Sequence, residues 1–288
     1  MDDRRLAEPF RGSEAVAAGW ITEAALRSGA VRRLGRDTYV GASAEIDTRL
    51  LVRALALRAG PDAVVAGPLA ALAWGAECPW EDAEVIAPSD LRLARDRIRL
   101  RVDRLVPDDV ARRWGVPLTT PLRTAWDLAR RPPLIEAVAA VDALGHRSHF
   151  GPDALERYLR AGAGARGVVL ARRVIALMDP LSDSLMESRA RVGLMHRGVP
   201  RPLLQHPVRL GDGTRVLLDL AWPDPPSGRP TAVEYQGEEH RTPYRHGRDI
   251  DRAHQLGDLG WDVVEMTARQ AYLTIEATAA RLRRKLGV

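Results

Sequence analysis

Two stretches decide the fold of the last third of the chain: Arg215-Val216-Leu217-Leu218-Asp219-Leu220-Ala221-Trp222 and, after a loop rich in proline and glycine, Thr231-Ala232-Val233-Glu234-Tyr235-Gln236. Each is an apolar run of strand length bounded by turn residues, and each carries one interior carboxylate. Leu217, Leu218, Leu220 and Ala221 flank Asp219 on both sides, which predicts that both sheet faces are covered and that the acid needs a partner. Residues two apart in a strand share a face, so Glu234 and Gln236 point together, within reach of Asp219 on the neighbouring strand. Carboxylates that close repel unless a cation lies between them, which predicts a Mg²⁺ (or Mn²⁺) site on Asp219 and Glu234. Gln236 would then be the polar neighbour of an attacking water. Solvent-facing acids on an alternating sheet are the competing reading.

Working outward, Ser184 predicts the cap of a helix over 185–197, with Glu187 at its third position completing a capping box. Gly198, Pro200 and Pro202 end that helix, and a strand over 204–210 leads into the hairpin turn Gly211-Asp212-Gly213. Beyond Gln236, a helix is expected over 245–259, a strand over 261–266 and one tail helix over 268–286. The order is α-β-β-β-α-β with a helical tail.

At the other end, Ser13 predicts a helix cap, Gly19 a stop and Thr22 the cap of a second helix. Val31 to Leu34 and Thr38 to Val40 then form a small wing around Gly35-Arg36-Asp37. A helix-turn-helix with a basic wing is a DNA-docking shape, with Arg32, Arg33 and Arg36 facing phosphates. A helical cap with a solvated hairpin is the alternative. Between the two ends, helices and strands alternate without clustered acids, histidine pairs or a glycine-rich phosphate loop, so the region reads as scaffold. The expected organisation is α/β of the α+β kind, with a winged-helix domain over 1–44, an α/β scaffold over 45–165 and a third domain over 166–288.

With 288 residues, more than one core is expected. The formal charge of +5 favours an anionic partner, and Lys285 is the sole lysine, so the positive charge is arginine, a residue suited to phosphate forks. The same bias runs through the whole chain with abundant Ala, Gly and Pro, so it reads mainly as the codon usage of a GC-rich bacterial genome, with phosphate binding as the secondary reading. The single Cys78 excludes a disulfide framework and a cysteine-rich zinc site. No signal peptide and no membrane span are legible, the apolar stretch from Ala63 to Ala76 being short and interrupted by Pro68. A cytoplasmic protein is expected.

The series Glu234-Tyr235-Gln236-Gly237-x-x-His240, Arg248-Asp249-x-x-Arg252 and Gly260-Trp261-x-Val263 resembles the DUF559 and very-short-patch-repair (Vsr-like) endonucleases of the PD-(D/E)xK, restriction-endonuclease-like fold. The wing ending Tyr39-Val40 and the stretch from Val116 to Ala129 are similar to winged-helix antitoxins of the AbiEi type. The whole chain resembles actinobacterial proteins that join these halves. The resemblance implies Mg²⁺ on Asp219 and Glu234, with Glu187 as a third carboxylate. It implies His240 near the scissile phosphate, unless that residue is an ordinary loop histidine, and Arg245 and Arg248 on DNA at the start of the following helix. Gln236 stands where the family carries lysine, and the zinc cysteines of the short-patch enzymes are missing, so mismatch specificity is not implied. Two functions follow: a metal-dependent DNA endonuclease with winged-helix docking, or a non-catalytic DNA-binding regulator of the antitoxin type with a degenerate nuclease fold. A scaffold without DNA is a third. DNA, a homodimeric copy and a toxin or antitoxin are the expected partners.

Overall fold

The structure, a computed structural model, describes residues 3–87, 98–236 and 243–288, with the backbone alone for 3–4, 236, 243–250, 268 and 272–273. It is a mixed α+β protein, and its contacts divide into two compact units, Met1–Arg131 with Asp153–Val168 and Pro132–Pro152 with Val169–Val288.

The first unit opens with α1 (Asp3–Leu6), β1 (Phe10–Arg11), α2 (Gly12–Ala17), α3 (Glu23–Arg27) and the wing strands β2 (Val31–Gly35) and β3 (Thr38–Gly41). The strands form one antiparallel sheet in the order β1-β3-β2 over Leu6, Phe10, Ala15, Ile21 and Val31. Ser13 does not cap α2. It lies inside the first turn, where its N–H and hydroxyl donate to the Asp37 carboxylate at 2.8 and 2.5 Å, so the wing turn supplies the cap. Gly12 is required here, because a Cβ would meet the Tyr39 ring at 2.6 Å.

Next come α4 (Thr48–Ala59), β4 (Val64–Ala66), α5 (Gly67–Ala73), β5 (Ala83–Ile86), β6 (Ile98–Arg101), β7 (Val110–Arg113), β8 (Val116–Thr119) and α6 (Pro121–Ala129). The sheet order is β6-β5-β4-β8-β7, with α4 and α5 packed on a core of Val52, Leu55, Val65, Leu69, Val85 and Leu118. The region does cluster acids, contrary to the sequence reading. Arg123 is 5% exposed and its guanidinium meets Asp103, Asp109 and Asp127 at 2.6, 2.9 and 3.2 Å. Arg101 and Arg130 share Asp127, and Glu84 lies against Arg99, Arg101 and Arg131. Tyr158 of α8 (Pro152–Ala161) donates to Asp109 at 2.7 Å. Acids and arginines alternate through this network, so buried charge meets its opposite.

The second unit contains α7 (Leu134–Ser148), α9 (Val168–Leu177), α10 (Leu185–Met195), β9 (Leu203–Arg209), β10 (Arg215–Trp222), β11 (Thr231–Gln236), α11 (Pro243–Asp258), β12 (Asp262–Thr267), α12 (Ala268–Leu273) and α13 (Ile275–Leu286). The sheet order is β12-β11-β10-β9, with β11 and β12 parallel and the other pairs antiparallel. One face packs Leu204, Leu220, Trp222, Val233 and Met266 against α10 and α13, while the other sets Leu218, Ala221 and Ala232 against Leu256 of α11. Leu217 departs from the expected cover and is 45% exposed. The single tail helix expected over 268–286 is broken at Thr274, and both pieces pack on α10, with Ile275 pressed against Gly193.

Candidate functional site

Two places concentrate charge in a form that chemistry could use. In the first, Thr22 caps α3 by accepting from the Ala25 N–H at 3.1 Å, and Ala25 and Leu26 turn inward. Thr22, Glu23, Ala24, Arg27 and Ser28 stay exposed. On the wing, Arg32, Arg33 and Arg36 are exposed as well. Arg32 donates to the Ala44 carbonyl, and Arg33 Nε to the Gly35 carbonyl at 3.1 Å, bonds that use only part of each guanidinium's five N–H donors. Asp37, the acid of the wing turn, accepts from the N–H and hydroxyl of Ser13.

The second place is where β10 and β11 separate. Their pairing runs through Leu220↔Val233, Ala221↔Ala232 and Trp222↔Thr231 and stops short of Asp219 and Glu234. The Asp219 side chain takes over there, with Oδ2 accepting the Tyr235 N–H at 2.9 Å. Glu187 approaches from α10. Ser184 caps that helix by accepting from the Glu187 N–H at 3.1 Å, and Glu187 in turn accepts from the Ser184 hydroxyl at 3.2 Å and the Asp183 N–H at 3.0 Å. The reciprocal bond thus falls one residue ahead of the expected capping box. Helix α10 is anchored on α7 by a wholly buried pair, Arg191 to Asp142 at 2.6 Å, which Ser188 reinforces at 2.7 Å. Burial pushes the Asp142 carboxyl up to about 6, with Arg191 pulling the other way.

Two residues to which the sequence assigned no role complete this place. Gln205 faces Asp219 across the β9–β10 ladder, and its Nε2 lies 3.4 Å from both Asp219 Oδ1 and Glu187 Oε2. Its backbone is left-handed at φ 49°, a conformation that costs a non-glycine residue roughly 1–2 kcal/mol. Arg252 of α11 donates from one Nη to Glu234 Oε1 at 2.5 Å and to the Leu217 carbonyl at 3.0 Å. The legible signal for Arg252 was its place in the series Arg248-Asp249-x-x-Arg252, and for Gln205 there was none, because its strand mixes polar and apolar residues throughout.

Glu187, Asp219 and Glu234 all have carboxyl pKa values above the ordinary range, and burial is the largest cause for each. The Tyr235 N–H lowers Asp219, Arg252 lowers Glu234, and the charge of Asp219 raises both of its neighbours. Gln236 lies at the end of β11, and Arg245 and Arg248 in the first half of α11; their side chains lie outside the described residues, as does His240 entirely. Lys285 pairs with Asp262.

The donor set does not fit a divalent cation as it is arranged. Both oxygens of Glu187 and both of Asp219 accept from groups of the chain, and Glu234 is held by a guanidinium. Among the described residues, no three His, Cys, Asp or Glu side chains are grouped so as to hold a metal.

Comparison with known proteins gives the class first. Residues 78–178 of this α+β protein match the AbiEi antitoxin C-terminal domain, and the match ends before Glu187. Two proteins of Mycobacterium tuberculosis, "Uncharacterized protein MT2308" and "Uncharacterized protein Rv2248", are each 32% identical over 193 residues, covering 67% of this chain and 70% of theirs. The chain belongs to the family of these mycobacterial proteins.

Proposed function

We propose that this protein is a DNA-binding regulator of the antitoxin type. The observation that carries the reading is the wing, where three exposed arginines stand beside α3 while the nearby carboxylate of Asp37 is turned onto Ser13. The AbiEi match supports the antitoxin assignment and, with it, a toxin protein as second partner. A homodimer would place two winged helices on two half-sites of an operator, and the cytoplasm is the compartment for such a regulator. Binding to the DNA upstream of its own coding sequence, measured by fluorescence anisotropy over a salt series, tests this. The triple variant Arg32→Ala/Arg33→Ala/Arg36→Ala should weaken binding and flatten the log K against log salt slope by about 3. Equal binding and slope in wild type and variant would sink the reading.

The second reading is a Mg²⁺- or Mn²⁺-dependent endonuclease of the DUF559 or Vsr-like kind. The electrostatic coupling of Glu187, Asp219 and Glu234 favours it. Those acids would be the ligands, Gln236 and His240 the polar groups near the reacting phosphate, and Arg245 and Arg248 the phosphate contacts. A bound ion would polarise the phosphodiester and make water acidic. The arrangement of Arg252 and Gln205 stands against it. Supercoiled plasmid with Mg²⁺ or Mn²⁺ decides: nicking lost in Asp219→Asn supports the enzyme, and intact plasmid that is still bound supports the regulator.

A further inference from the structure

We infer that the carboxylate site supplies its own counter-charge: Arg252 and Gln205 do the work of a cation, and together they latch α11 and β9 onto the fork between β10 and β11.

Three carboxylates from α10, β10 and β11 meet in a partly covered place, where charge without compensation is costly. Compensation comes from an arginine that is itself largely buried, its side chain 33% exposed, with Nη2 on Glu234 and on the Leu217 carbonyl of β10. One guanidinium thus spans both strands at the point where their backbone pairing has stopped. The Gln205 amide takes the corresponding place between Glu187 and Asp219. Its left-handed backbone sits between the regular pairs Leu204↔Leu220 and His206↔Leu218. A strained residue at the middle of a ladder persists only where its surroundings hold it, and here both oxygen partners are acids.

An ion would have to displace Arg252 from Glu234 and turn the Gln205 amide round so that its oxygen faced inward. The latch therefore predicts a cation affinity that is suppressed in the wild type and revealed when Arg252 is removed. Docking of DNA on the wing is a separate property, and either can fail alone.

Titration of the full chain with Mn²⁺, followed by calorimetry and by the electron paramagnetic resonance of free Mn²⁺, tests the latch. The wild type and Arg252→Lys, which keeps the charge, should show no saturable site tighter than roughly millimolar. Arg252→Met should gain one site at least about tenfold tighter, and adding Asp219→Asn should remove it. A wild-type site of micromolar affinity that Asp219→Asn abolishes would overturn the inference, as would Arg252→Met binding no better than wild type. Should circular dichroism show Arg252→Met unfolded, the wild-type titration decides alone: no saturable site supports the latch, and a micromolar one overturns it.

Discussion

The two clusters of internal charge in this protein are built on opposite plans. Around Arg123, five acids and five arginines interleave, and each charge touches its opposite. Around Asp219, three acids share one arginine and an amide, and burial pushes each carboxyl toward its neutral form, as it also does Glu84 of the first cluster. Balanced charge of the first kind holds a fold together. Unbalanced charge of the second kind works against stability, and it is the pattern expected where a site was shaped for something other than stability.

The largest effect expected of this contrast is at Arg123. Arg123→Ala removes the guanidinium that joins Asp103, Asp109 and Asp127 and should cost about 3–5 kcal/mol in urea unfolding, because it breaks a buried network from one side. A loss under about 1 kcal/mol would erase the difference between the clusters. Asp219→Asn should go the other way and stabilise by about 0.5–1 kcal/mol at neutral pH. The sign follows from the raised carboxyls. The folded state takes up protons before the unfolded chain does, so stability grows on acidification below neutrality and is lost as pH rises through the folded values. Asp142, pushed up to about 6, contributes in the same direction. Thermal melts followed from neutral pH down toward the ordinary carboxylate range should therefore rise in the wild type and rise less in Asp219→Asn. The smallest effect is expected at the wing, where the triple arginine variant that weakens DNA binding should alter folding stability by less than about 0.5 kcal/mol.

Much of this was legible in the sequence where local chemistry decides. Asp219 and Glu234 declared their strands because each interrupts an apolar run, and Ser184 with Glu187 declared the start of α10. The wing was legible from glycine and the alternation around it. What escaped depends on partners distant in sequence. The acids about Arg123 come from Asp82 to Asp127, so no window shows them together. Gln205 acquires its role through a backbone conformation that no side-chain pattern announces. Arg252 matters only once α11 lies on β10. Ser13 looked like a cap because its type favours one, yet the wing's Asp37 won the position.

The pairing that stops before Asp219 has a consequence for how this region tolerates change. Tyr235 hangs its N–H on a side chain, so the width of the sheet at that point is set by residue 219 and not by the backbone. Asparagine can keep that acceptor, and alanine cannot. Truncation at 219 should fray the ends of both strands as well as remove a charge, whereas the amide removes the charge and one of the two acceptors while keeping the other for the Tyr235 N–H.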